Sequence, residues 1–124
     1  MRLLLFDIDG TLIRSNSAGR MAMAAALEEL FGSAGPLDSY SMGGKTDARI
    51  ITDLLTAIGV DAEEISAKLP EVFALMADKA HIIYPGRGIV ACPGIGELLA
   101  DLRNRANVLL GLLTGNSQTT APFK

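Results

Sequence analysis

The chain has 124 residues, 49% of them hydrophobic and 20% charged, with a formal net charge of -3 at pH 7. That length holds one ordinary domain or part of a larger one, and the composition is that of a globular chain burying roughly two thirds of its unfolded surface. The acidic balance leaves no basic footprint, which argues against nucleic acid and anionic membrane as partners. The single cysteine, Cys92, has no internal disulfide partner and reads as a small buried hydrophobe. After Arg2, only Leu3–Phe6 are apolar before Asp7 interrupts, too short for a signal peptide. No stretch approaches the ~20 residues of a membrane span. The expected setting is soluble and cytoplasmic.

Residues 3–8 form an apolar run that ends in Asp-Gly-Thr, the pattern of a strand buried on both faces of a parallel sheet. A helix follows, striped by Met23, Leu27, Leu30 and Phe31 and stopped by Gly32. A second stripe runs through Ile50, Ile51, Leu54, Leu55 and Ile58 to Gly59. Asp61 with Glu64 resembles a capping box for a third helix, striped by Ile65, Leu69, Val72 and Met76. Pro70 inside that stripe predicts a kink, or two short helices meeting. Residues 81–88, with Pro85, Gly86 and Gly88, read as a linker. A helix over 94–105 then acts as the crossover that lays a second apolar strand, 108–113, parallel to the first. The helices between about 16 and 81 exceed what a crossover needs and read as an inserted helical subdomain.

Open α/β sheets bind ligands at the edge where parallel strands end. Asp7-Ile8-Asp9-Gly10-Thr11 and Thr114-Gly115-Asn116 are therefore expected to meet in space. Asp7 and Asp9, two apart in extended chain, project to one side. Two converging carboxylates repel and lose hydration, and a hard divalent cation such as Mg²⁺ offsets both costs. Gly10 permits the sharp turn off the strand. Thr114 offers a hydroxyl, and the N–H groups around Gly115 an anion-binding concavity. Asp-Gly and Thr-Gly-Asn are each ordinary turns by themselves. Their joint placement behind two apolar strands carries the reading.

Asp7-Ile8-Asp9-Gly10-Thr11-Leu12 resembles the first signature of the haloacid dehalogenase superfamily, Asp-x-Asp-Gly-Thr-Leu. Leu112-Leu113-Thr114-Gly115-Asn116 resembles the second, and Gly44-Lys45-Thr46-Asp47 a cap segment of phosphoglycolate-phosphatase-like members. The resemblance implies an α/β fold: a partial Rossmann-like core with parallel strands (1–15 and 82–124) and an inserted helical cap (16–81). It also implies a Mg²⁺-dependent phosphatase acting on a small-molecule phosphate monoester. Asp7 would be the nucleophile and Asp9 the general acid and base, with both in the metal site. Thr114, Gly115, Asn116 and Gly10 would hold phosphate or substrate. A phosphosugar mutase of the same superfamily is the runner-up, since it shares both aspartates and a similar cap. A non-catalytic fragment that binds a partner is the alternative from another class; phosphonate hydrolysis is less favoured, although Lys45 supplies the cap lysine that such chemistry needs for a Schiff base.

In the resembled family a lysine and further metal-binding acids follow the second signature. Neither is found before Pro122-Phe123-Lys124, and Lys124 lies too close to the second signature to be that lysine. The expectation is a C-terminally truncated chain of low activity. An exposed edge on a two-stranded sheet also predicts self-association.

Overall fold

The computed structural model describes residues 1–123. Two strands, β1 (Arg2–Phe6) and β4 (Val108–Leu112), pair in parallel, with Leu3 opposite Leu109 and Leu5 opposite Gly111. Between them run β2 (Ile13–Arg14), α1 (Ala18–Phe31), α2 (Asp47–Ala57), α3 (Ala62–Ile83), β3 (Val90–Ala91) and α4 (Ile95–Arg103). The chain is thus α/β, with helix α4 leading into the second parallel strand. A two-residue antiparallel pairing of β2 with β3 was not foreseen from sequence, because two residues carry no period. It brings the chain leaving α3 back beside the chain leaving β1, and Cys92 N–H extends the join by donating to Leu12 O at 2.9 Å. Cys92 is half-buried there, not buried as expected.

Both parallel strands end earlier than the apolar pattern suggests. After Phe6 the Asp7 carboxylate accepts the Ile8 N–H at 2.8 Å. Ile8 O then accepts the N–H groups of Leu12 at 3.0 Å and Ile13 at 3.2 Å, so the backbone curls at the C-terminal end of β1. Gly10, at φ +78°, makes the turn. The expectation that these strands are buried on both faces is corrected. Leu3, Leu5 and Leu109, which share one face by register, are 59%, 51% and 55% exposed. The physical reason is that a two-stranded sheet cannot enclose itself. Helix α4 contributes no buried residue either.

The main core lies instead among the helices. Met23 and Leu27 of α1 meet Ile50, Ile51, Leu54 and Leu55 of α2 and Ile65, Val72 and Met76 of α3 in one buried cluster. These are the apolar stripes of the sequence, brought face to face. Helix α3 runs unbroken through Pro70, so the two-short-helices alternative is corrected. Pro70 is exposed while Ile65, Val72 and Met76 on either side are buried, and that packing holds the helix together across the missing N–H donor. Asp61 does occupy the N-cap of α3, but its side chain makes no capping hydrogen bond. His81 belongs to the last turn of α3, so the linker begins later than expected, with a single helical turn at Tyr84–Gly86. Among the described residues no helix is long and apolar enough to cross a membrane.

Candidate active site

The curl after β1 and the loop after β4 open onto one cavity of about 720 Å³. Asp7, Asp9, Thr114, Gly115 and Asn116 all line it, across more than a hundred residues of sequence. Gly10 is not among its lining residues; it serves the turn. Asn116 ties the two segments together, because its Nδ2 donates to Asp9 Oδ2 at 2.9 Å and to Thr114 Oγ1 at 2.6 Å. Thr114 Oγ1 accepts a further bond from Asn116 N–H at 3.1 Å. A threonine hydroxyl has two acceptor positions and one proton. With both acceptor positions taken, Thr114 is left with a proton to donate, which suits an anion. At Asp7 the Ile8 N–H engages Oδ1.

The far wall comes from the helical region: Gly44, Lys45, Thr46 and Asp47 before and at the start of α2, Arg20 and Met23 of α1, Met76 of α3, and Tyr84. Several of these were not singled out from sequence. Tyr84 is 5% exposed. Burial, reinforced by the nearby Asp9 and Asp47 carboxylates, pushes its phenol up to about 12. It therefore stays a neutral hydroxyl in the wall of an acidic site. Nothing in the local sequence marks it, since its position follows from how α3 returns to the strands.

Two cations line the cavity among the described residues, and both already serve the main chain. Arg20 donates to Leu37 O and Tyr40 O. Lys45 Nζ donates to Ser41 O at 2.8 Å and sits 4.2 Å from the centre of the Tyr40 ring. Tyr40 in turn donates its hydroxyl to Asp53, which holds the Asp53 carboxyl below its ordinary range. These bonds brace residues 37–45 as a wall. Lys124 lies outside the described residues.

Among the described residues no group of three or more His, Cys, Asp or Glu side chains is arranged as a ready metal cage. Two carboxylates and main-chain carbonyls at a sheet edge are nonetheless hard oxygen donors. That set fits Mg²⁺, which takes one or two protein carboxylates and completes its octahedron from substrate and water.

Comparison with known proteins places the family and the fold. A family model described as haloacid dehalogenase-like hydrolase matches residues 1–124. Among solved structures, a Lactobacillus plantarum protein to which phosphoglycolate phosphatase activity is attributed superposes with a TM-score of 0.62 at 24% identity. The match covers 98% of this chain and 56% of that one, so this chain spans little more than half of that relative's length. At that identity the likeness is one of fold. No curated protein matches.

Proposed function

The chain belongs to the haloacid dehalogenase-like hydrolases, and from that premise we propose that its site performs Mg²⁺-dependent hydrolysis of a small-molecule phosphate monoester. The observation that carries the reading is the Asp9–Asn116–Thr114 hydrogen-bond chain, which shares one cavity with Asp7 and sets a carboxylate pair against a hydroxyl. In this reading Asp7 attacks phosphorus and forms an aspartyl-phosphate, while the bond to the leaving oxygen breaks. Asp9, protonated, gives its proton to that oxygen. It then takes a proton from the water that attacks the aspartyl-phosphate and releases phosphate, so the acid is restored. Thr114 donates to a phosphate oxygen, and Asn116 keeps Asp9 beside it. Residues 16–81 act as a cap over the site. The Asp7 carboxylate and the Asp9 carbonyl would hold Mg²⁺, which when bound offsets the charge of the phosphoryl group.

The site predicts slow turnover. Neither Lys45 nor Arg20, the cations lining the cavity among the described residues, is hydrogen-bonded to Asp7. One missing electrostatic contact is worth about 10²–10³ in rate, against an ordinary kcat of about 10 s⁻¹. Hydrolysis of p-nitrophenyl phosphate by the purified chain should therefore be Mg²⁺-dependent and at or below about 0.1 s⁻¹. It should fall to background in both Asp7→Asn and Asp9→Asn. A rate indifferent to both substitutions would overturn the reading.

A further inference from the structure

Asp47 is the first residue of α2, yet its carboxylate does not cap that helix. Capping is done by Thr46, whose hydroxyl accepts the Arg49 N–H at 3.2 Å. The Asp47 side chain is turned instead to the loop after β4, seventy residues away in sequence. Its Oδ2 accepts the Ser117 N–H at 2.9 Å, and the Thr120 hydroxyl lies 3.5 Å from the same oxygen. From its main chain, the Asp47 N–H donates to Gly115 O at 2.7 Å. One residue thus grips the loop on both sides of Asn116.

The rest of the loop is built to receive that grip. Gly115 passes so close to the chain ahead of α2 that an added Cβ would stand 2.5 Å from Lys45 O and 3.1 Å from Thr46 Cα. Thr120, a polar residue only 1% exposed, shares a hydroxyl contact of 2.7 Å with Ser117. Thr119 Oγ1 donates to Phe73 O of α3 at 3.2 Å, a second tie to the helical region.

We infer that Asp47 is a positioning residue, which by gripping Gly115 and Ser117 from the helical region fixes Thr114 and Asn116 in register with Asp9 for phosphate binding. The role rests on the phosphate-handling reading above. It makes apposition of the helical region a condition for a competent anion loop, although Asp47 need not touch the reacting atoms. A carboxylate accepting an N–H is a charge-assisted bond, worth more than a neutral one. Its removal should be felt as a mobile loop and a weaker phosphate site together.

The test uses ¹⁵N-labelled chain with Mg²⁺, following amide exchange at Ser117 and titrating inorganic phosphate against the amides of residues 114–117. In Asp47→Ala, Ser117 exchange should quicken and phosphate affinity should drop, each about tenfold or more. Asp47→Asn keeps an acceptor oxygen of the same reach and should recover part of both. Unchanged α2 amide shifts at Ile50 and Ile51 identify a folded variant. Should Asp47→Ala lose them, the comparison is carried by Asp47→Asn, which then must show a smaller loss of the same kind. Unchanged Ser117 exchange overturns the inference. So does quickened exchange with undiminished phosphate affinity, which would make the contact merely structural. A wild-type chain with no phosphate response overturns the functional reading and this role with it. A wild-type response that the variants leave intact overturns this role alone.

Discussion

At Gly115 and Tyr84 the geometry assigns work that residue type alone did not reveal. Gly115 first reads as a donor of anion-binding N–H groups. The structure adds a steric reason for glycine there, the 2.5 Å that a Cβ would have to Lys45 O. Main chain cannot retreat as a side-chain tip can, so Gly115→Ala must push the start of α2 from the loop. We expect it to break the Asp47–Gly115 hydrogen bond and destabilise the chain by roughly 1–3 kcal/mol, read by urea denaturation. Tyr84 gives a pH signature. Its phenol is held neutral to about pH 12, whereas in the unfolded chain it ionises near 10. The native state therefore keeps a proton that the unfolded state loses between those values. Tyr84's contribution is fully present below pH 10 and is lost as pH rises through 12, on the order of 2 kcal/mol. Alkaline unfolding in metal-free buffer should show that fall, and Tyr84→Phe should remove it.

Among the elements, α3 shows where sequence reading succeeds and where it stops. The stripes of α1, α2 and α3 were legible because a 3.6-residue period survives in the apolar residues, and the same residues form the core. Pro70 misled because local rules see the lost N–H but not the burial of Ile65, Val72 and Met76 on both sides. Pro70→Ala restores the donor at an exposed position. The helix-propensity gain of about 3 kcal/mol, less up to about 1 for a freer unfolded chain, should leave the protein roughly 2 kcal/mol more stable. Thermal unfolding followed by circular dichroism reads this, and an unchanged or lower midpoint would contradict it. That Asp7, Asp9 and Thr114–Asn116 meet at one cavity was legible because two parallel strands must end on one edge. The Asp47 clasp was not, because no period or strand rule brings a helix N-terminus against a loop seventy residues later.

For the whole molecule the contrast is between a closed helical core and an open strand pair. Leu3, Leu5 and Leu109 share an exposed face, while Leu112, on the opposite face by alternation, and Leu113, just past the strand, are 61% and 65% exposed. Apolar surface of this extent favours association, and an unpaired strand edge offers hydrogen bonds to a second copy. We expect the purified chain to elute from a sizing column as more than one copy at micromolar concentration. The double variant Leu3→Lys with Leu109→Lys should shift it toward monomer while the helical circular-dichroism signal persists, since the main core lies in α1–α3. The cavity sits where these two parts meet, with Asp7 and Asp9 supplied by the strand side and the opposite wall, Asp47 included, by the helices.

The claim on which the rest depends is that Asp7 is the nucleophile that carries a phosphoryl group. Beryllium trifluoride mimics a phosphoryl group bonded to a carboxylate, so it tests that claim without requiring turnover. With Mg²⁺ present, ¹⁹F NMR of the chain should show a bound fluoride signal, and the amides of residues 7–10 and 114–117 should shift. Both effects should be lost in Asp7→Asn and retained in Glu97→Gln, a substitution on an exposed position of α4. A bound signal that survives Asp7→Asn, or a wild-type chain that gives none, would contradict the account.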